Sequence, residues 1–326
     1  MWLMRQAGRY LPEYRAVRQK VDFLTLCRTP DLVAEVTLQP IDILGVDAAI
    51  IFADILLVLE AMGAELRFVA GDGPRFPDPI RRREDLERLR QPDVDETLGY
   101  VFDALRLTRR ELAERVPLLG FAGTPWTLAA YLVEGGTSKS FSHLLGWSYR
   151  DPEGLSVLLD RIAEVTITYL ERQVEAGAQA LQLFDTWGGL LDAERWDRVA
   201  GPSLRRIIEG LRSSEVASKV PLIYYSNGSG HLLPVLKDLP VDVLSVDWRL
   251  PIDTVRTIVG PDKILQGNLD PTSLYGTRDG VVDLTRQLID RGRGGGHIVN
   301  LGHGILPTTP VDHAKAFVET VQSTML

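Results

Sequence analysis

The chain has 326 residues, of which 45% are hydrophobic and 25% are charged, and its formal net charge is -8. This composition suits a globular protein with one large core, and α/β barrels commonly use this length as a single domain. The negative balance argues against nucleic acid or an anionic membrane surface as a partner. With one cysteine, Cys27, the chain has no internal disulfide and no cysteine-rich metal site, so we expect Cys27 to be a small buried apolar residue.

The chain shows no signal for export or membrane insertion. No apolar run approaches the roughly 18 residues of a membrane-spanning helix. The arginine-rich start lacks the apolar stretch of a signal peptide. We therefore expect a cytoplasmic protein in a reducing compartment.

Short apolar runs alternate with helical stretches along the chain. Runs such as AAIIF and PLIYY are apolar throughout, which is typical of parallel strands buried on both faces. The predicted strands are Trp2–Arg5, Asp47–Asp54, Pro117–Gly123, Ala178–Asp185, Pro221–Asn227, Val241–Asp247, Lys263–Asn268 and His297–His303.

The clearest predicted helix is Pro152–Ala176, with Asp151 as its cap and Gly177 as its stop. Pro40 is expected to end or kink the first long helix. The other predicted helices are Thr29–Leu44, Leu98–Val116, Ala193–Leu211, Gly230–Leu236, Pro251–Val259, Gly280–Arg291 and Val311–Thr324.

Eight strands alternating with helices predict an α/β fold, a single (β/α)8 barrel of the TIM type. An open doubly wound sheet is the alternative, because periodicity alone does not separate the two folds. Residues Leu66–Phe76 are predicted to form an inserted hairpin that turns at Gly71–Gly73.

Polar residues follow the predicted strands at their carboxyl ends, which in a barrel share one mouth where active sites lie. These residues are Arg5 and Gln6, Asp54, Gly123–Thr124, Asp185–Thr186, Asn227, Asp247–Trp248, Asn268 with Asp270, and His303.

A cationic cluster opens the chain, although the protein as a whole is acidic. Only one acid, Glu13, accompanies the four arginines Arg5, Arg9, Arg15 and Arg18. Guanidinium groups bind carboxylates in a bidentate manner, so the cluster predicts a ligand that carries several carboxylates. The alternative is that these arginines pair with surface acids.

Six stretches carry a family resemblance, and they occur in order through essentially the whole chain. They are MWLMRQAGRYLPEYR at 1–15, IIFADIL at 50–56, GFAGTPWTLAAYLVEGG at 120–136, LFDTWGG at 183–189, LQGNLDP at 265–271 and NLGHGILP at 300–307. In these stretches the chain resembles the uroporphyrinogen decarboxylase family.

The resemblance implies a single barrel domain over residues 1–326, a homodimer and no cofactor or metal. It also implies that the four acetate side chains of uroporphyrinogen III lose carbon dioxide, giving coproporphyrinogen III in haem and chlorophyll synthesis. Relatives are expected to carry a leader segment before Trp2, so we expect this chain to lack that segment.

The same resemblance implies a set of substrate-binding residues, which includes the catalytic candidates Asp54 and Arg5. The set is Arg5, Gln6, Ala7, Gly8, Arg9, Arg18, Asp54, Tyr131, Thr186 and His303. Phe121 and Trp126 are expected to form apolar walls, although packing alone explains Trp126 equally well. His143, His231, His297 and His313 have no such context.

Asp54 follows an apolar run, where a carboxylate is costly unless it has partners. The hypothesis is that it accepts hydrogen bonds from the pyrrole N–H groups and stabilises the cationic ring formed when a pyrrole carbon is protonated. A helix cap or an interior ion pair is the alternative. The proton donor stays open among Asp54, Arg5, water and a substrate carboxyl group.

Two other functions are weighed. A corrinoid-linked methyltransferase of the same superfamily would need a zinc-bound thiol, which one cysteine and no His-x-Cys pattern disfavour. A non-catalytic tetrapyrrole-binding protein would need the arginines but not Asp54.

Two further stretches resemble anion-binding motifs. The stretch RGRGGGH at 291–297 precedes a strand, whereas phosphate loops follow one, which argues against phosphate binding. The stretch RRREDLERLR at 81–90 is expected to be a solvated helix face rather than an anion patch.

Overall fold

The structure, a computed structural model, describes residues 1–69, 71 and 73–325. Its central feature is a parallel sheet of seven strands, each hydrogen-bonded to the next sheet strand along the chain. The seven strands are β1 Ala49–Ile50, β4 Leu118–Gly123, β5 Ala180–Asp185, β6 Leu222–Ser226, β7 Val243–Val246, β8 Ile264–Leu269 and β9 His297–Leu301. A doubly wound sheet would reverse its strand order at a switch point, so the sequential order identifies the barrel alternative as the correct one.

Helices cover the outside of the sheet. They are α1 Pro12–Arg18, α2 Phe23–Arg28, α3 Pro30–Leu44, α4 Leu57–Ala61, α5 Val94–Leu112, α6 Pro125–Glu134, α7 Ser142–Arg150, α8 Pro152–Glu175, α9 Ala193–Arg195, α10 Gly201–Ser213, α11 Leu233–Leu236, α12 Ile252–Val259, α13 Arg278–Gly292 and α14 Val311–Met325. In the described residues, none of these helices is both long and apolar enough to cross a membrane.

The observed helix bounds agree best with the predicted ones where a capping residue makes a side-chain hydrogen bond. Asp151 accepts a hydrogen bond from the backbone N–H of Gly154 and begins α8, which confirms the clearest prediction. Of the two effects expected of Pro40, the end of the helix is wrong, because α3 continues to Leu44 and stops at Gly45, whose φ is 71°. A kink at Pro40 stays a prediction. Packing of α3 along α5 holds the turns beyond the proline in place.

The first predicted strand, Trp2–Arg5, is also wrong. The segment lies between β1 and β9, but individual bonds replace a strand ladder: Met4 N donates to Asn300 Oδ1 at 2.9 Å, and Met4 O accepts from Ile305 N at 2.8 Å. The chain then turns, because Gln6 N donates to Leu3 O at 2.9 Å. This N-terminal segment fills the eighth position of the barrel without being a strand.

A buried polar network inside the barrel fixes that segment. The indole N–H of Trp2 donates to Gln266 Oε1 on β8 at 2.9 Å. Gln266 Nε2 in turn donates to Gln182 Oε1 on β5 at 3.1 Å and to Ser245 Oγ on β7 at 2.9 Å. The first residues of the chain are therefore tied to three strands through the barrel interior.

The inserted hairpin is present as predicted. Strands β2 Arg67–Val69 and β3 Gly73–Arg75 pair antiparallel, with Val69 opposite Gly73. Of the predicted turn, Asp72 lies outside the described residues. Cys27 is 1% exposed, as expected of a small buried apolar residue.

We expect Gly120→Ala to lower the free energy of unfolding by about 1–3 kcal/mol. A Cβ on this β4 residue would overlap Gln173 Oε1, which accepts from Phe121 N at 2.8 Å. The control is Gly99→Ala in α5, where no atom lies within 4 Å of the added Cβ. That change should raise the free energy of unfolding by roughly 0.5–1 kcal/mol. Urea unfolding measures both, and equal effects would contradict the packing account.

Candidate active site

Arg5 lies at the point where the N-terminal segment reaches the mouth of the barrel. Its backbone has the left-handed φ of 61°, which turns its exposed side chain away from the buried segment before it. A Cβ on Gly304 would overlap the Arg5 side chain, so glycine is needed there for the two chains to approach. Among the described residues, the Arg5 guanidinium has no hydrogen-bond or ion-pair partner.

His303 lies between Arg5 and the loop that follows β7. A Cβ on the other neighbouring glycine, Gly302, would lie 2.5 Å from Trp248 N, so both sides of His303 are closely packed. His303 Nδ1 accepts from the backbone N–H of Gly304 at 2.6 Å, which leaves the hydrogen of the neutral ring on Nε2. Burial, with Arg5 and Arg249, lowers the pKa of His303 to about 4. The ring is therefore a neutral hydrogen-bond donor near pH 7.

Asp54 follows β1 at the same mouth. Its partly exposed carboxylate accepts from Leu56 N at 2.8 Å, and it does not cap α4. Burial raises the pKa of Asp54, while the Leu56 N–H and the charge of Arg5 lower it. No cation of the described residues lies within ion-pair distance of this carboxylate. Neither the helix-cap alternative nor the ion-pair alternative therefore accounts for Asp54.

Tyr131 adds to this cluster, and Thr186 lies at the carboxyl end of β5. Burial raises the pKa of Tyr131, while the charge of Arg5 lowers it and that of Asp54 raises it, so both charges act on this hydroxyl. Thr186 directly follows β5, and its carbonyl accepts from Asn227 Nδ2 at 3.3 Å. In the described part of the chain, the Thr186 hydroxyl has no partner, so it is available to a ligand.

Gln6 anchors the loop from Arg5 to Arg9 to the buried part of the protein. The buried Gln6 side chain accepts from Leu3 N at 3.1 Å and donates to Ala48 O at 3.0 Å. Its polar atoms therefore point into the protein and fix the loop. Ala7 is partly exposed at the outer side of the loop, as is the glycine that follows it.

Arg9 and Arg18 line an open cleft beside this loop. The cleft has a volume of about 850 Å³ and also contains Arg15 and Pro307. Arg18 donates to Val21 O, and Arg15 donates to the carbonyl of Arg9 at 2.8 Å. The structure thus brings Arg5, Asp54, Tyr131 and His303 into one cluster and places Arg9 and Arg18 in the adjoining cleft.

Trp126 packs within the protein: it is buried and donates its indole N–H to Trp187 O at 2.9 Å. The ring of Phe121 lies 5.5 Å from that of Phe184. For Trp126, packing is therefore the better explanation.

Sequence reasoning missed the network around Asp185. This fully buried carboxylate accepts from the hydroxyls of Thr124, Thr127 and Tyr224, each at 2.8 Å. Thr127 Oγ1 also accepts from Trp187 N at 3.1 Å. Burial raises the pKa of Asp185, and the hydroxyls lower it. The network fixes the loop that presents Thr186, and the only signal in the sequence was an acid at a strand end.

The fold and the mouth define an α/β barrel in which Arg5, unpaired among the described residues, lies in one cluster with the partly buried carboxylate of Asp54. A sequence model described as uroporphyrinogen decarboxylase (URO-D) matches residues 1–324. Proteins named uroporphyrinogen decarboxylase from Trichlorobacter lovleyi and Geobacter metallireducens are each 47% identical over 98% of this chain and 93% of their own length. One from Myxococcus xanthus is 48% identical over 98% of this chain and 91% of its own. The chain belongs to the uroporphyrinogen decarboxylase family.

Solved structures with lower identity share the fold. A methyltransferase from Methanosarcina mazei is 20% identical, with a TM-score of 0.81 over 98% of this chain and 93% of its own. A B12-independent methionine synthase from Shewanella is 13% identical, with a TM-score of 0.62 over 94% of this chain and 91% of its own. The single cysteine is buried, and no group of three potential metal ligands occurs in residues 1–69, 71 and 73–325.

We expect the imidazole of His303 to titrate near pH 4 rather than at its usual 6.5. Its neutral form is favoured by burial and by the two nearby guanidiniums. Two-dimensional NMR of the imidazole resonances between pH 3.5 and 8 measures this, and His303→Gln identifies the signal by its loss. A midpoint above pH 6 would contradict the placement of the ring.

Proposed function

We propose that this chain is a uroporphyrinogen decarboxylase that works without a cofactor. It converts the four acetate side chains of uroporphyrinogen III to methyl groups and gives coproporphyrinogen III, in porphyrin and haem biosynthesis. The nearly full-length relatives of that name support the substrate. The observation that carries the mechanism is the Asp54 carboxylate, which lacks an ion-pair partner beside the unpaired Arg5 in the described residues.

Binding uses the cations and donors of the mouth. Arg5 in the cluster, with Arg9 and Arg18 in the adjoining cleft, binds substrate carboxylates through charge-assisted hydrogen bonds. Thr186 and His303 donate to further carboxylates, His303 through Nε2–H. The backbone of Ala7 and Gly8 allows the macrocycle to approach the loop, and Gln6 holds that loop in position.

Catalysis uses Asp54 at the centre of the bound ring. A proton added to a pyrrole carbon next to the acetate-bearing position makes that ring cationic, and the cation accepts the electron pair as carbon dioxide leaves. The exocyclic carbon then takes up a proton and becomes a methyl group, and the ring carbon returns its own proton. Asp54 accepts hydrogen bonds from the pyrrole N–H groups and stabilises the cation where the charge develops. Tyr131, which lies near Asp54 and Arg5, orients the reacting acetate.

We also propose that the protein is a homodimer and that it works in the cytoplasm. The family resemblance supports a homodimer, and the single buried cysteine suits a reducing cytoplasm. A methyltransferase activity finds no support beyond the shared fold. A non-catalytic tetrapyrrole carrier would give no reason for a costly carboxylate at Asp54.

We expect Asp54→Asn to lower kcat by about 10²–10³-fold, because the neutral amide does not stabilise the cationic ring. Binding should change far less, since the arginines remain. Anaerobic incubation with uroporphyrinogen III, followed by separation of the products by carboxyl number, measures turnover. Near-normal turnover would contradict the role of Asp54.

Arg5→Ala should raise KM strongly and make the remaining binding less dependent on salt, because one charge-assisted contact is lost. The matched control is Arg106→Ala on α5, an exposed arginine that pairs with Asp103 at 2.9 Å. The control should leave kcat and KM unchanged. An unaltered KM in the Arg5 variant would remove its assigned role.

Asp54→Asn should also raise the melting temperature near pH 7. Burial raises the pKa of Asp54 in the folded state, so ionisation costs stability as the pH rises from the usual carboxyl value through the folded value. The amide has no such cost and keeps an acceptor for Leu56 N. Melting curves at pH 7 and pH 4 measure the difference, which should shrink at pH 4. A gain that does not depend on pH would contradict this origin.

A further inference from the structure

We propose that Arg249, on the loop after β7, forms an additional carboxylate-binding subsite at the mouth of the barrel. The inference rests on the proposed function, because its ligand is one of the side-chain carboxylates of the polyacidic macrocycle. No motif singles out this arginine, which lies far along the chain from the N-terminal cluster.

The guanidinium of Arg249 is held in one orientation, but among the described residues only one of its nitrogens has a partner. It lies 4.5 Å above the ring of Trp248, and its Nη1 donates to Asn227 Oδ1 at 3.1 Å and lies 3.2 Å from Asp247 Oδ2. Among the described residues, Nη2 and Nε have no partner. The side chain is 53% exposed, so these donors are accessible to a ligand. A planar group held on one edge and open on the other suits bidentate binding of a carboxylate.

The position of Arg249 complements that of the N-terminal cations. With the N-terminal segment as the eighth position of the barrel, the loop after β7 is four positions from the loop after β1, which carries Asp54. Arg249 therefore lies across the mouth from Asp54. The ring of Trp248 is 6.4 Å from that of His303, so the subsite is continuous with the cluster.

Electrostatics places Arg249 and Arg5 around the same residues. Both guanidiniums lower the pKa of His303, whereas Asp247 raises it. Both also lower the pKa of the buried Tyr225, whose hydroxyl donates to Gly302 O at 2.9 Å. A polyanion at the mouth therefore meets the charge of Arg249 as well as that of Arg5.

A structural role for Arg249 is the competing explanation. The Asp247 side chain is 6% exposed, and besides Arg249 Nη1 it accepts from the backbone N–H groups of Gly228 and Arg249. If Arg249 only neutralises this carboxylate, removing the charge of Asp247 should restore the parent KM in a variant that lacks the guanidinium. If Arg249 binds substrate, the defect should remain.

The test is steady-state kinetics with uroporphyrinogen III on the full chain. Arg249→Ala should raise KM about tenfold, leave kcat within about twofold and flatten the dependence of KM on salt. Arg249→Lys should recover part of the loss, because it keeps the charge but not the planar fork. The control is Arg278→Ala, which removes an exposed arginine of α13 that pairs with Glu319 of α14 at 3.3 Å. This change should alter neither kcat nor KM.

The double variant Asp247→Asn with Arg249→Ala separates the two explanations. A KM that stays raised supports the subsite, and a KM that returns to the parent value overturns it. An unchanged KM in Arg249→Ala overturns it as well. A parent protein that does not turn over uroporphyrinogen III would instead refute the proposed function, and that result is obtained before any variant is compared.

Discussion

The site depends on how the first residues are anchored in the barrel. The N-terminal segment has no strand ladder, and the indole of Trp2 on Gln266 and the backbone of Met4 on Asn300 hold it instead. These bonds fix the point at which Arg5 leaves the interior with a left-handed backbone. The cation then faces Asp54 and His303 without a partner of its own in the described residues. Without the anchor, the guanidinium of Arg5 would have no defined position at the mouth.

Burial acts on the charged groups of the mouth in a selective way. It favours the neutral forms of Asp54 and His303, because removal of water penalises their ionised forms. The guanidinium of Arg5 cannot respond in this way, since arginine stays protonated in proteins. The mouth therefore keeps the positive charge of its arginines, which suits a ligand with many carboxylates.

The sequence predicted the fold class because continuous apolar runs identify parallel strands, and because the order of strands and helices favours a barrel. It did not predict that the chain turns at Leu3, since that turn depends on side-chain bonds to β9. It also overestimated β1, which is only Ala49–Ile50. The hydrogen-bond network of Asp185 and the position of Arg249 were missed for a related reason. Their partners lie on other strands and loops, so no local pattern reveals them.

The environment of Asp54 also links the uptake of a polyanion to the acidity of the solution. Whatever negative charge the arginines leave uncompensated on the ligand makes ionisation of this carboxyl still harder. The pyrrole N–H groups act in the opposite direction, because hydrogen bonds donated to the carboxylate favour its charged form. Because each acetate that becomes a methyl group removes one negative charge, the partly processed macrocycle opposes the ionisation of Asp54 less than the starting one does.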